Sequence, residues 1–579
     1  MASGSLPHRE GWGGSLKLII RNDMKKILTI ALGFTALAAN AQETYESAQL
    51  ATQDLNGTAK YIGMGGAMEA LGADISTINS NPAGVGFFRS SWAGVSAGLT
   101  SQNSSFDGVK NVANLRDNGK TNADFNQIGF VWSTRTGRDS HLNLSFNYQK
   151  SRNFNQILQA VNYLDGYSAN TVNYIKEYHF HDSYTLQDQI VNVVVNNNLK
   201  TGDEDGVYCR GAGMYAAHTD NSGYISNFDF NISGSIHDKV FLGFTLGVKD
   251  VRYRSTNIYD EALGSETPLC PYENPENEFR FTDLRRITGT GFDIKFGAII
   301  RPIEESPFRF GLYINTPTWY ELRSHVDMSA AAGFIANLAE EGQDPIYKSY
   351  TTSNNTIGYG YDYKYCISTP WRFGASVGHT FGKKVAIGAT YEYADYSAIR
   401  NKIVDGTYID YYGDEHLETT RDYDMDNNND ISLKGVSLLK IGAEIKPIPE
   451  LAIRLGYNYQ SAIYTKEGYK DISIPNRSSV DYYGYEYVAG SVGAYYSTYD
   501  FTNWEATHRL TCGLGIQLNK NWAIDLAYQY STQKGTYYPF TTTVFDDSST
   551  DGTEDVNIGY GTTVHNNRHQ FNMTLGYRF

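Results

Sequence analysis

Cysteine, proline and long apolar runs are all scarce in this chain, which has 4 Cys and 14 Pro among 579 residues. Beyond the N-terminal region there is no apolar stretch of about twenty residues, so a helical membrane protein is excluded there. Cys209, Cys270, Cys366 and Cys512 make no CxxC or Cys/His cluster at metal-ligand spacing. No metal site is expected, and no cofactor. Basic residues are also outnumbered, with Lys+Arg 48 against Asp+Glu 63 and a net charge of -15. Nucleic acid, which needs clustered Lys and Arg to neutralise phosphates, is not an expected partner. There is no Gly-x-Ser-x-Gly elbow, His-Glu-x-x-His motif or phosphate loop, so nothing supports an enzyme.

Aromatics and glycine are plentiful. Tyr 46, Phe 27 and Trp 7 bring the aromatic share to 14%, beside Gly 56 and a mean hydropathy of -0.43. Transmembrane barrels combine these properties, because alternation hides their apolar surface from the average and aromatics collect at both lipid–water boundaries. A soluble all-β secreted protein shares the composition, so the order of residues has to decide.

The first ordered signal is for export. Met24-Lys25-Lys26 is a positive n-region, Ile27 to Ala38 an apolar core, and Ala39-Asn40-Ala41 a small-x-small cleavage site. Residues 24–41 therefore read as a signal peptide, with Gln42 as the mature start. Residues 1–23 read as an upstream extension, with Met24 the true start. Export permits a disulfide between Cys209 and Cys270, both in long loops, and unpaired thiols are an equal alternative. Cys512, on an apolar strand face, reads as a small buried or lipid-facing residue.

Period-two alternation recurs through residues 89–579. Phe571, Met573, Leu575, Tyr577 and Phe579 share one face of the last strand, opposite Asn572, Thr574, Gly576 and Arg578. Leu451 to Gln460, Leu142 to Tyr148 and Trp522 to Tyr530 repeat the pattern. Candidate strands fall at 89–101, 123–135, 140–151, 225–237, 239–254, 286–302, 306–322, 365–380, 384–402, 434–447, 451–464, 504–518, 522–535 and 565–579. Tight turns at Gly137-Arg138-Asp139, His237-Asp238, Glu304-Glu305, Gly382-Lys383, Pro447 to Glu450 and Asn519 to Asn521 alternate strictly with long connections. Short periplasmic turns, long outer loops and an even strand number are the habit of bacterial barrels. The expected fold is all-β: a membrane-spanning antiparallel up-and-down β-barrel of about 14 strands, in the outer membrane of a Gram-negative bacterium.

Residues 42–88 differ in character. They contain Gly57-Thr58-Ala59-Lys60-Tyr61, then Gly63-Met64-Gly65-Gly66-Ala67, then Asn79-Ser80-Asn81-Pro82-Ala83-Gly84. Glycines permit tight turns and close packing in a narrow lumen. Asn81-Pro82 favours a turn whose Asn side chain serves nearby backbone groups. A Gly-rich linker into the first strand is the plain alternative to an N-terminal hatch inside the lumen.

This segment resembles the N-terminal region of the FadL/TodX family, outer-membrane transporters of long-chain fatty acids and aromatic hydrocarbons. The family's Asn-Pro-Ala motif matches Asn81, Pro82 and Ala83. Thr369-Pro370-Trp371-Arg372 and Tyr391-Glu392-Tyr393-Ala394-Asp395-Tyr396 have the same family flavour. The resemblance implies fourteen strands, a hatch, passive entry of a hydrophobic small molecule, and lateral exit into membrane lipid past a kink in an early strand. It implies no energy coupling. Outer-membrane lipid and the barrel-assembly machinery, which reads a C-terminal aromatic such as Phe579, are the other expected partners of a monomer.

Candidates for a ligand groove lie in the long loops. Ile157, Leu158, Val161 and Leu164 fall at helical spacing, and Ser329 to Gly342 forms a second candidate helix with Phe334, Ile335 and Leu338 on one side. Simple packing of the loops is an equal explanation for them. His179, His181 and His218 are candidates for a haem or hemin receptor, the first alternative function. A surface adhesin or structural barrel is the second. Asp424-x-Asp426-x-Asn428-x-Asp430 starts like a calcium loop, but Asn429 stands at the sixth position and Gly435 at the twelfth, so a hydrated acidic outer loop is expected.

Overall fold

A computed structural model describes residues 43–579 other than 111–116, 173–185, 195–199, 202–207, 210, 264–276, 304–305, 336–346, 359, 412–414, 467, 471–477, 481–485, 489–496 and 547–553. The expected upstream extension and signal peptide, the tight turn at Glu304-Glu305, and Cys270, His179, His181 and Leu338 lie outside the described residues.

The wall is built from β1 (Trp92–Asp107), β2 (Gly119–Gly137), β3 (Ser140–Asn153), β4 (Gln156–Tyr163), β5 (Ala212–Ile236), β6 (Val240–Leu263), β7 (Asn277–Ile300), β8 (Arg309–Asn315) and β9 (Trp319–Ile335). It continues through β10 (Asp362–Ser368), β11 (Arg372–Phe381), β12 (Val385–Asp395), β13 (Arg400–Ile409), β14 (Gly435–Ile448), β15 (Leu451–Gln460), β16 (Phe501–Gln517), β17 (Trp522–Tyr538) and β18 (Thr562–Arg578). Neighbours pair antiparallel, and β18 pairs back onto β1 from Trp92↔Arg578 to Asp107↔Thr563, which closes the sheet on itself. Four wall strands are interrupted: β3/β4, β8/β9, β10/β11 and β12/β13 each make one. Counted so, the barrel has the expected fourteen strands and is closed.

The period-two pattern sorts side chains as the solvents demand. Leu142, Leu144, Ile453, Leu455, Leu526, Phe571 and Met573 are exposed on the outside, while the intervening Asn143, Asn147, Arg454 and Asn572 are buried inside. Phe579 is on the outer face beside Tyr577 and Phe130, and its N–H closes onto Ser91 O. Cys512 is exposed on the lipid face and has no disulfide. Several strands are far longer than a bilayer requires. β5 has 25 residues, against roughly 9–11 for a tilted membrane strand, so the wall projects beyond the membrane at its long-loop end.

Three local expectations are corrected. Ile157, Leu158 and Val161 stand in a strand, not a helix, and Leu164 follows it. β4 pairs with the far part of β5 from Gln156↔Asn221 to Tyr163↔Met214. Ile157, Gln159, Ala160 and Val161 in it are buried, so both faces carry buried residues and the alternation that marks a half-exposed strand is lost. The proposed helix from Ser329 is likewise the end of β9, so Phe334 and Ile335 are strand residues. There β7 and the strand Tyr347–Ser353 offer a ladder on each side, and sheet context overrides the helical propensity of the alanines. Conversely, the acidic loop is a helix, Tyr423–Ser432, capped by Asp422 and packed on the barrel mouth. Asp426 is buried there, accepting from Asn401 N–H and Arg421 Nε at 2.9 and 2.6 Å.

Candidate functional site

Residues 43–88 sit inside the barrel. Their segment alternates short helices with capped turns: α1 (Thr44–Ala51), α2 (Ala59–Gly63), and 3-10 turns at Ile75–Asn79 and Pro82–Phe87. Thr58, Asp74 and Asn81 cap three of these by accepting backbone N–H bonds from Tyr61, Ser76 and Ala83. Such caps serve the donors that a short helix leaves open. Asn81 is thus a cap, with Pro82 at the first helical position where its missing N–H costs nothing.

The hatch is bonded to the wall around the circumference. Thr574 Oγ1 accepts from Ala59 N–H at 2.7 Å, and Asn143 donates to Val85 O at 2.8 Å. Gln149 donates to Asn56 O and Asn227 to Asn79 Oδ1, both at 2.8 Å. The strongest tie is Lys440 Nζ to Glu69 Oε1 at 2.6 Å, with Thr390 and Tyr61 also donating to the carboxylate. Both partners are buried. The wall is thinned where the hatch touches it: a Cβ at Gly297 would stand 2.0 Å from Asn81 Oδ1, and one at Gly456 would stand 2.2 Å from Gly65 N.

Toward the long-loop end the lumen is filled differently, by tyrosines such as Tyr45, Tyr215, Tyr259, Tyr365, Tyr499 and Tyr537 packed in one large cluster. Buried phenols need partners, and Tyr365 donates to Glu46 and Tyr499 to Asp188, both at 2.6 Å.

Between tyrosines and hatch lies a chamber of about 230 Å³, lined by α1 residues and by Asp54, Arg152, Arg509 and Arg568. Asp54 accepts from Arg152 Nη1 at 2.7 Å and from Asn153 N–H at 2.8 Å, and lies 3.6 Å from Arg568 Nη1. Asp54 lies among the three guanidiniums of Arg152, Arg509 and Arg568, and Glu43, Glu46, Asp283 and Asp500 with Arg285 and Lys470 complete the charged lining. The Nε of Arg152 and of Arg568 are buried without a hydrogen-bond partner among the described residues, an arrangement suited to an incoming anionic group.

The chamber also borders a break in the wall. The β2–β3 ladder ends at Gln127↔Gln149, leaving residues 119–126 of β2 unpaired on that side. Beyond it the third wall strand steps inward through Phe154-Asn155, and β4 runs against the lumen face of β1, where Gln102 bonds both backbone groups of Ile157. Gly223, at φ +107, lets β5 follow the bend. Arg568 Nη2 donates to Asn153 O and Asn155 O, carbonyls that the broken ladder leaves free, at 3.0 and 3.1 Å. Side chains bridge the gap: Lys150 and Asn153 to the buried Asp124, and the more exposed Lys120 to Asp220.

Of the sequence-derived candidates, the structure puts Gly63, Gly65, Gly66, Asn81, Pro82 and Ala83 in the hatch, and Leu158 in the chamber lining. Ile157, Val161 and Leu164 are buried near it in the packing of the mouth. His218 is bonded to Gln159. Asp54, Arg152, Arg509 and Arg568 were not foreseen; the only available signal was arginine on an inward strand face otherwise made of Asn, Gln, Ser and Thr. Arg372 and Tyr396 meet at the hatch, where Arg372 Nη2 donates to Ala51 O at 2.8 Å and Tyr396 Oη at 3.4 Å, while Trp371 is exposed on the outer face.

No protein-family model and no curated protein matches the chain. Among solved structures it is similar to a FadL homologue of Pseudomonas aeruginosa, with 11% identity and a TM-score of 0.45 over 91% of this chain and 99% of that one. It is also similar to the toluene transporter TbuX of Ralstonia pickettii, at 13% identity and TM-score 0.43 over the same shares. The CymD monoaromatic hydrocarbon channel gives 10% identity and TM-score 0.43, again over 91% and 99%.

Proposed function

We propose that this barrel sits in the outer membrane of a Gram-negative bacterium and passes small hydrophobic molecules with a polar or anionic end, such as long-chain fatty acids or similar lipids and aromatics, sideways into the lipid. One observation carries this: the chamber above the hatch abuts the break in the third wall strand. The hatch closes the axis, so a ligand in the chamber has the seam beside it. An acyl chain gains about 0.8 kcal/mol per buried methylene, so a lateral step into lipid never returns it to water and requires no energy source. The charged lining narrows the expected apolar pocket to an amphipathic ligand, whose anionic end meets Arg152 and Arg568.

The family-like residues at 57–67 and 79–84 support the same reading. By it, long loops face outside, short turns face the periplasm, and the assembly machinery meets β18 at Phe579. The test is uptake of labelled long-chain fatty acid by cells with and without the protein. Arg568→Ala is expected to raise the concentration for half-maximal uptake about ten- to a hundredfold, the loss of a charge-assisted bond of roughly 1.5–3 kcal/mol. Equal uptake with and without the protein overturns the proposal.

A further inference from the structure

The lumen holds more polar space than a lateral route uses. Below the chamber lies a second one of about 70 Å³, and the two share Asp54, Gln460 and Arg509 in their walls. Under that is a cleft of about 170 Å³ at the short-turn end. Its lining is charge-balanced, with Lys60, Lys446, Arg454 and Arg578 against Asp74, Glu444, Glu450 and Asp525. The partition between the lower chamber and this cleft is thin. Tyr61 and Ser76 line the chamber above, while their near neighbours Lys60, Asp74 and Ile75 line the cleft below. One turn of helix, α2, and the strip beside it are all that separate them.

We propose that the barrel also carries an aqueous route along its axis, for water, inorganic ions and small polar solutes, and that α2 is its gate. The lining suits such solutes, because balanced fixed charges and hydrogen-bonding groups replace the hydration that a permeating ion gives up. The gate has hinges. Gly57 at φ +140 precedes α2, and Gly65 at φ +63 and Gly66 at φ +81 follow it. It has latches as well: Thr58 Oγ1 to Asp74, Ala59 N–H to Thr574, Thr511 to Gly63 O, and Tyr61 Oη to the carboxylate that Lys440 holds. Each latch except Thr58–Asp74 ties α2 or its next neighbour to the wall, directly or through Glu69. The route goes beyond lateral transport and does not depend on it.

Conductance of the folded full-length mature chain in a planar lipid bilayer with potassium chloride tests the route. Lys440→Met removes the cation at the main latch and is expected to raise conductance about tenfold through a larger open population. Tyr61→Phe removes only the phenol and is expected to give a smaller rise in the same direction. A disulfide between Ala59→Cys and Thr574→Cys pins α2 to the wall, and is expected to abolish conductance until a reductant restores it. Should Lys440→Met fail to fold, Tyr61→Phe and the cross-link decide. Wild-type conductance in the folded Tyr61→Phe barrel, or conductance indifferent to the cross-link, overturns the proposal.

Discussion

The third wall strand breaks at Phe154-Asn155, and the seventh and eighth break side by side at Thr316-Pro317-Thr318 and Thr369-Pro370-Trp371, yet the two interruptions are closed in different ways. At the prolines, which lack an N–H for the ladder, threonines restore the pairing. Thr318 N–H donates to Thr369 Oγ1 at 2.8 Å, Thr369 N–H to Thr318 O at 3.1 Å, and Ile294 N–H to Thr316 Oγ1 at 3.0 Å. Behind them Lys249 bonds Thr318 Oγ1 at 2.8 Å and Asp293 at 2.9 Å, both charged side chains only 4% exposed. At the third strand the β2–β3 ladder is not resumed: Gln102 and Arg568 serve the freed backbone groups, and Lys150–Asp124 crosses with side chains 12% and 4% exposed. Lys120–Asp220 crosses the gap with side chains 21% and 42% exposed. A missing ladder bond is therefore a bend where backbone and hydroxyl bonds join the two broken strands again, and a seam where side chains alone cross the gap.

The largest expected effect is on the sealed side of that comparison. Lys249→Met leaves Asp293 buried with only Lys295, 3.0 Å away, as cation. The cost is expected at about 3 kcal/mol, the low end for a broken buried pair because one partner remains. The urea midpoint of the folded barrel reads it. A loss below about 1 kcal/mol, the range of exposed pairs, would mean that the proline break is no better sealed than the seam.

Next in size is the effect of stapling each interruption. A disulfide between Asp124→Cys and Asn153→Cys closes the seam. It is expected to slow uptake of labelled fatty acid about tenfold, equivalent to about 1.4 kcal/mol on the barrier, with recovery on reduction. A disulfide between Thr318→Cys and Thr369→Cys is expected to leave uptake unchanged. If both staples slow uptake equally, the seam is not the exit.

These regions were not equally legible beforehand. The wall strands showed in the sequence because lipid on one side and a polar lumen on the other impose strict alternation, as at Leu451 to Gln460. The hatch segment showed through its glycines and Asn81-Pro82. The seam did not. Ile157, Leu158, Val161 and Leu164 lie in or beside a strand with buried residues on both faces, where apolar spacing follows neighbours instead of period and so mimics a helix. The Asp424 to Asp430 run hid a helix for a different reason: its Asp422 cap is a local signal that the resemblance to a calcium loop masked, while Asn401, which holds Asp426, is 25 residues away. The chamber arginines were invisible as a group. Arg152, Arg509 and Arg568 come from three strands and meet only because the barrel closes. Each alone is one more inward polar position.

The smallest effect tests the seam from its exposed side. Lys120 Nζ lies 2.5 Å from Asp220 Oδ1 and 3.1 Å from Asn221 O, tying the unpaired edge of β2 to β5. Lys120→Ala is expected to cost under about 1 kcal/mol of stability, since an exposed pair is worth little. Uptake should nevertheless rise about twofold, because a few tenths of a kcal/mol suffices when the tie acts on the barrier itself. High salt should mimic part of the gain in the wild type, by screening the same pair, and add nothing to the variant. A salt response equal in both would place the limiting step away from this edge, and the seam would then be permanently open instead of held shut by charge.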